Sequence, residues 1–92
     1  MKGVVMRVDT FGNLITNFRE EDLSDEAKQS GKIGFQVGTH PVSKMVDTYA
    51  SGGAGEVVAY VGSSGYVEVG VNKGSAAKTL AQGRGAAVTL TK

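Results

Sequence analysis

Fourteen glycines and a single proline, spread between short runs of alternating apolar and polar residues, most constrain what this 92-residue chain folds into. Glycine reaches positive φ at no steric penalty, so glycines in such number imply many tight turns or close backbone approaches. The runs between them have the two-residue period of strands with one buried face. Ile33, Phe35 and Val37 point one way, with Gly34 and Gln36 opposite. In residues 66–71, Val67, Val69 and Val71 oppose Tyr66, Glu68 and Gly70; residues 56–61 form a comparable run, and Gly62-Ser63-Ser64-Gly65 joins the two at hairpin length. Val4, Met6 and Val8 alternate with Val5, Arg7 and Asp9 as in a half-buried strand. Phe11-Gly12-Asn13 breaks that strand, and Leu14-Ile15-Thr16 reads as a short continuation of it. Residues 86–91 form a last strand. Residues 42–49 fit a helix only weakly and read as extended; residues 38–41 and 51–55 read as turns, the second glycine-rich and flexible.

Two segments carry helical signals. The acidic stretch 19–29 places Leu23 and Ala27 four residues apart and ends at Ser30-Gly31. Residues 75–82 offer Ser75 as N-cap, Ala76, Ala77, Leu80 and Ala81 as an apolar face, and Gly83 as the stop. The expected architecture is mainly β: a small β-barrel or sandwich of five to seven strands with one or two short helices, in one domain over residues 1–92.

Composition narrows the function classes. Ten basic and nine acidic residues leave a net charge of +1, without the clustered basic face that a nucleic-acid binder needs. The chain has no cysteine, which excludes disulfides, thiolate metal sites and cysteine nucleophiles. No apolar run approaches the roughly 20 residues of a membrane span, and residues 1–9 lack the pattern of a signal peptide. A cytoplasmic protein without membrane contact is the expectation. His40 is the only histidine, so a metal site would have to be completed by scattered carboxylates, and an exposed turn residue is the plainer reading. The acidic residues Glu20, Glu21, Asp22, Asp25 and Glu26 lack the alternation and central glycine of a calcium loop and read as a solvated helix face.

Two loops remain as sites. Residues 9–17, Asp-Thr-Phe-Gly-Asn-Leu-Ile-Thr-Asn, combine an acid, an aromatic, a glycine and two amides. A side-chain amide offers one donor face and one acceptor, matching the edge of an adenine, and Phe11 can cover a flat base. The alternative is a β-bulge held by asparagine hydrogen bonds with Phe11 in the core. Gly62-Ser63-Ser64-Gly65 lacks the Lys-Ser/Thr of a P-loop, and neither serine has a histidine base near it in sequence. It is a plain hairpin turn, or a nest of N–H groups and hydroxyls that receives a carboxylate or amine. Asn72-Lys73-Gly74-Ser75 either caps the following helix or presents backbone to a ligand edge.

The motifs Val8-Asp9-Thr10-Phe11-Gly12-Asn13-Leu14-Ile15-Thr16-Asn17, Gly55-Glu56, Gly62-Ser63-Ser64-Gly65-Tyr66-Val67-Glu68 and Val71-Asn72-Lys73-Gly74-Ser75-Ala76-Ala77 closely resemble the C-terminal domain of the S-adenosylmethionine hydroxide adenosyltransferases. These adenosine-forming S-adenosylmethionine hydrolases are related to the fluorinase and chlorinase. The resemblance implies a C-terminal β-barrel whose N-terminal α/β partner domain is absent here. It also implies homotrimers in the full-length context, with S-adenosylmethionine as substrate and no separate cofactor or metal. Water or hydroxide attacks the ribose 5′ carbon, giving adenosine and methionine. The groups that activate the water belong to the N-terminal domain, so this chain alone is expected to be inactive. By position, Asp9 is implied to hold the methionine amino group, Phe11 to pack on the nucleoside, and Asn13 to bond the adenine edge. Ser63 is implied to reach the amino-acid end, and backbone around Val71 and Lys73 to meet adenine. Halogenating relatives carry an arginine where this chain has Ser64, which favours the hydroxide branch. Two further functions fit the residues without the resemblance: a free-standing nucleoside-binding module, and a barrel that only mediates subunit contacts.

Overall fold

The computed structural model describes residues 1–47 and 53–91. Its seven strands are β1 (Lys2–Val8), β2 (Leu14–Arg19), β3 (Lys32–Val37), β4 (His40–Lys44), β5 (Val57–Val61), β6 (Tyr66–Val71) and β7 (Ala87–Leu90). Two short helices, α1 (Asp25–Ser30) and α2 (Ala76–Leu80), join them. The strands pair antiparallel in the order β4-β3-β7-β1-β2-β6-β5. The outermost two meet through a Met45–Ala59 bridge and a hydrogen bond from Val46 N to Ala59 O (2.9 Å), so the sheet curls into a nearly closed barrel. Curling removes most of the unpaired edge that an open sheet exposes.

Leu14, Phe18, Phe35, Val37, Val42, Val67, Val69 and Val88 fill the interior, each nearly inaccessible to solvent. Phe18 and Phe35 meet edge to face at 5.9 Å. Thr16 is the polar exception: its hydroxyl donates to Val67 O at 2.7 Å, so burial leaves it satisfied. The alternation read for β3 holds residue by residue, and that for β6 holds from Tyr66 to Val69, after which Gly70 is buried along with Val71. α1 is capped by Ser24, whose Oγ accepts from Ala27 N, and it ends at Gly31 with φ +72°. It buries Ala27, and Leu23 just before it is buried too; the preceding acids form a 3-10 turn, Glu20–Asp22.

Several expectations need correction. Leu14-Ile15-Thr16 does not continue β1: the chain reverses at residues 9–13, and β2 returns antiparallel beside it. The face of β1 is also not the one its alternation marks. Val5 lies in the core while Val4 and Met6 are half-buried and Val8 is exposed. The cause is a bulge: Val5 faces Thr16 and Arg7 faces Ile15, so two steps on β1 match one on β2 and Met6 is the extra residue. His40 belongs to β4, opposite Val37, and not to a turn. α2 stops at Ala81, itself left-handed at φ +53°, and not at Gly83. The extended reading of residues 42–49 holds through Lys44; its last two residues, and the start of the 51–55 turn, lie outside the described residues.

Candidate functional site

Both loops singled out above are hairpin turns, and they flank the β2–β6 pair from opposite ends, residues 9–13 beside Leu14 and Val69, residues 62–65 beside Arg19 and Tyr66. In the first, Asp9 organises the reversal. Its Oδ1 accepts from Phe11 N and Asn13 N, each at 2.9 Å, and its Oδ2 accepts from Asn13 Nδ2 at 3.0 Å. Aspartate suits such a turn because its short carboxylate reaches the backbone two to four residues ahead. Gly12 supplies the positive φ (+85°) that closes it. Its carbonyl accepts from Ala77 N at 2.9 Å, so the first turn of α2 directs that N–H at the loop and not at solvent. Asn13 is thereby buried to 5% exposure, while Phe11 stands at the tip, 71% exposed. Phe11 is not a core residue.

In the second turn, Gly65 N donates to Gly62 O at 3.0 Å and Gly62 N to Tyr66 O at 2.8 Å, leaving Ser63 and Ser64 exposed at the apex. A side chain at position 62 would overlap the carboxylate of Glu68, which folds back beneath the turn. Tyr60 donates its hydroxyl to that carboxylate at 3.1 Å.

Between the turns lies an open depression of about 470 Å³. Asp9, Phe11, Asn13, Ser63 and Ser64 all line it. Val71 and Lys73 do not: Val71 is buried, and Lys73 is an exposed turn residue at φ +60°. The depression also takes in Arg7, Asp47 and Tyr60, which lie outside the motifs read from the sequence, and Ile15 and Glu68, which lie within them but were given no ligand contact. Arg7, Ile15, Tyr60 and Glu68 converge through strand register, which no local motif shows. A larger groove of about 850 Å³ runs beside α1, but Glu26 and Lys32 are its charged lining and no aromatic lines it. The depression between the turns is the better candidate, since aromatic, amide, hydroxyl and charged groups converge there.

Among the described residues no group of three His, Asp or Glu side chains is placed to hold a metal ion, and no helix is long and apolar enough to cross a membrane. No curated protein matches the chain. Residues 3–89 match the family model for the SAM hydroxide adenosyltransferase C-terminal domain. A conserved hypothetical protein from Thermus thermophilus is 34% identical and superposes with a TM-score of 0.80, over 98% of this chain and 34% of that one. An uncharacterized conserved protein from Thermotoga maritima shares the fold at 24% identity and a TM-score of 0.80, over 98% of this chain and 35% of its own. The chain thus spans about a third of the length of these solved relatives.

Proposed function

This chain belongs to the SAM hydroxide adenosyltransferase C-terminal domain family, and from that premise we propose that it supplies the adenine- and methionine-contacting half of an S-adenosylmethionine site. The observation that carries the reading is the convergence of Asp9, Phe11, Asn13, Ser63 and Ser64, from two turns far apart in sequence, on one depression. Phe11 is an exposed ring available to a purine face. Asn13 offers its amide to the purine edge. Three of the roughly four acceptor positions of the Asp9 carboxylate are used within its own turn, which leaves room for one ammonium donor. Ser63 reaches the amino-acid end, and backbone about Val71 and Lys73 forms the outer adenine contact.

The reaction is displacement at the ribose 5′ carbon: a water oxygen bonds to carbon, the carbon–sulfur pair leaves as methionine, and a proton is released. Such a reaction depends on holding nucleophile and carbon in line and on excluding bulk water. An open depression does neither by itself. The nucleophile-activating groups and the remaining walls are assigned to an N-terminal α/β domain, in a trimer that pairs it with this domain of a neighbouring subunit.

Nitrogen-15 chemical-shift titration of the chain tests the reading. S-adenosylmethionine and adenosine are expected to move the amides of Gly12, Asn13, Gly62 and Ser63, with Asn13→Ala weakening both ligands severalfold. No turnover is expected until the N-terminal domain is added. Shifts confined to the groove beside α1, or hydrolysis by this chain alone, would sink it.

A further inference from the structure

Strand register assembles a feature that neither loop contains. Arg7 pairs with Ile15, Ile15 with Glu68, and Glu68 with Tyr60, so these four form one row across β1, β2, β6 and β5. Directly paired residues share a sheet face. Here it is the outer face, because Leu14 and Thr16 on either side of Ile15, and Val67 and Val69 on either side of Glu68, point into the barrel. All four row members line the depression. Ile15 is only 3% exposed and forms its apolar floor. A cation stands on one side of that floor and a carboxylate on the other, with backbones roughly 10 Å apart at two strand spacings.

The bulge at Met6 makes this possible. In an unbroken ladder Val5 and Arg7 would share a face, and an inward Val5 would carry Arg7 inward too. The extra residue lets Val5 stay in the core while Arg7 turns out opposite Ile15.

Arg7 is the one cation among the residues lining the depression, against Asp9, Asp47 and Glu68. No hydrogen bond or ion pair engages its guanidinium among the described residues, where the ion pair present is Lys44–Glu56. Glu68, in contrast, is held in place by Tyr60 and by the space that Gly62 leaves.

We propose that Arg7 and Glu68 read the zwitterionic amino-acid end of the ligand, Arg7 taking its α-carboxylate and Glu68 facing its ammonium across Ile15. The proposal rests on the S-adenosylmethionine reading and adds residues and a direction to it. A guanidinium matches a carboxylate with two parallel N–H donors, which a serine turn does not. An ammonium has three donors, enough for Glu68 as well as Asp9. The amino-acid tail therefore lies over Ile15, and the nucleoside extends toward Phe11 and Asn13.

The test is affinity by shift titration for three ligands: S-adenosylmethionine, its decarboxylated analogue and adenosine. Arg7→Gln is expected to weaken S-adenosylmethionine about tenfold, the loss of one charge-assisted contact, and to leave the other two unchanged. Arg7→Lys should recover part of the loss. Glu68→Gln, which keeps an acceptor for Tyr60, should weaken both ammonium-bearing ligands severalfold and spare adenosine. Equal weakening of all three ligands by Arg7→Gln, or of none, overturns the proposal while leaving the site intact. Absence of shifts in the depression for every ligand with the unaltered chain overturns the site and the proposal together.

Discussion

Replacing Gly12 with alanine would test how the first turn is held. Gly12 has φ +85°, where an L side chain costs about 1–2 kcal/mol. The new Cβ would also overlap Ser75 Oγ and Cβ, and would stand 3.2 Å from the Ser75 Cα. Ser75 caps α2 by accepting from Lys78 N at 3.2 Å, and pushing it aside forfeits about 1 kcal/mol of capping. The Ala77 N to Gly12 O bond is strained by the same movement, for about 1 kcal/mol more. Alanine stiffens the unfolded chain, which returns roughly 0.4–1 kcal/mol. The net loss is about 3 kcal/mol, a large share of what a domain of this size has, and enough to lower Tm by more than 10 °C. The controls are Gly55→Ala and Gly65→Ala, at φ +80° and +88° with open space around the added carbon; they isolate the dihedral penalty at about 1 kcal/mol. Urea unfolding followed by circular dichroism measures all three. Equal losses at positions 12, 55 and 65 would refute the argument that the turn is locked against α2. Adding Ser75→Gly to Gly12→Ala should recover part of the loss.

Phe11→Ser should leave Tm within about 2 °C of the unaltered chain, since the ring is already in solvent; a larger fall would mean that it packs on something in the free protein. Glu56 accepts from Gly53 N and from Lys44 Nζ, and these contacts hold its carboxyl below the usual carboxylate range. A carboxyl depressed by folding stabilises above its unfolded pKa of about 4.3 and loses that stabilisation as pH falls through the folded value. The group is solvent-exposed, so Glu56→Gln should flatten the acid limb of stability only slightly, as read from unfolding midpoints between about pH 5 and 3. A steeper acid limb in the variant would contradict it.

What could be read from the sequence divides along physical lines. β3 and most of β6 follow from local alternation, β5 from a continuous run of strand-forming apolar residues, and the hairpin between the last two from glycine placement. Ser75 and Ser24 cap helices by local hydrogen bonds, though only Ser75 sat before an apolar stripe clear enough to mark. β1 misleads because a bulge breaks the period within a single strand, and no residue type announces the break. Ala81 takes a conformation that glycine usually fills, so Gly83 was the natural but wrong stop. The site shows the same division. Asp9, Phe11, Asn13 and the serines are contiguous in motifs. Arg7, Ile15, Tyr60 and Glu68 are joined through two hairpin registers and the long-range β2–β6 register at once, and registers are tertiary facts.

The bulge at Met6 has a consequence for how β1 tolerates changes of length. Without Met6, the residue after Val5 would fall opposite Ile15 in an unbroken ladder, so the same guanidinium would occupy the same outward place. A relative one residue shorter here can therefore keep every inward and outward side chain. An alignment that confines its gaps to loops would shift all of β1 before the bulge by one position, exchanging its faces. In this barrel an insertion or deletion can sit in the middle of a strand and be structurally silent.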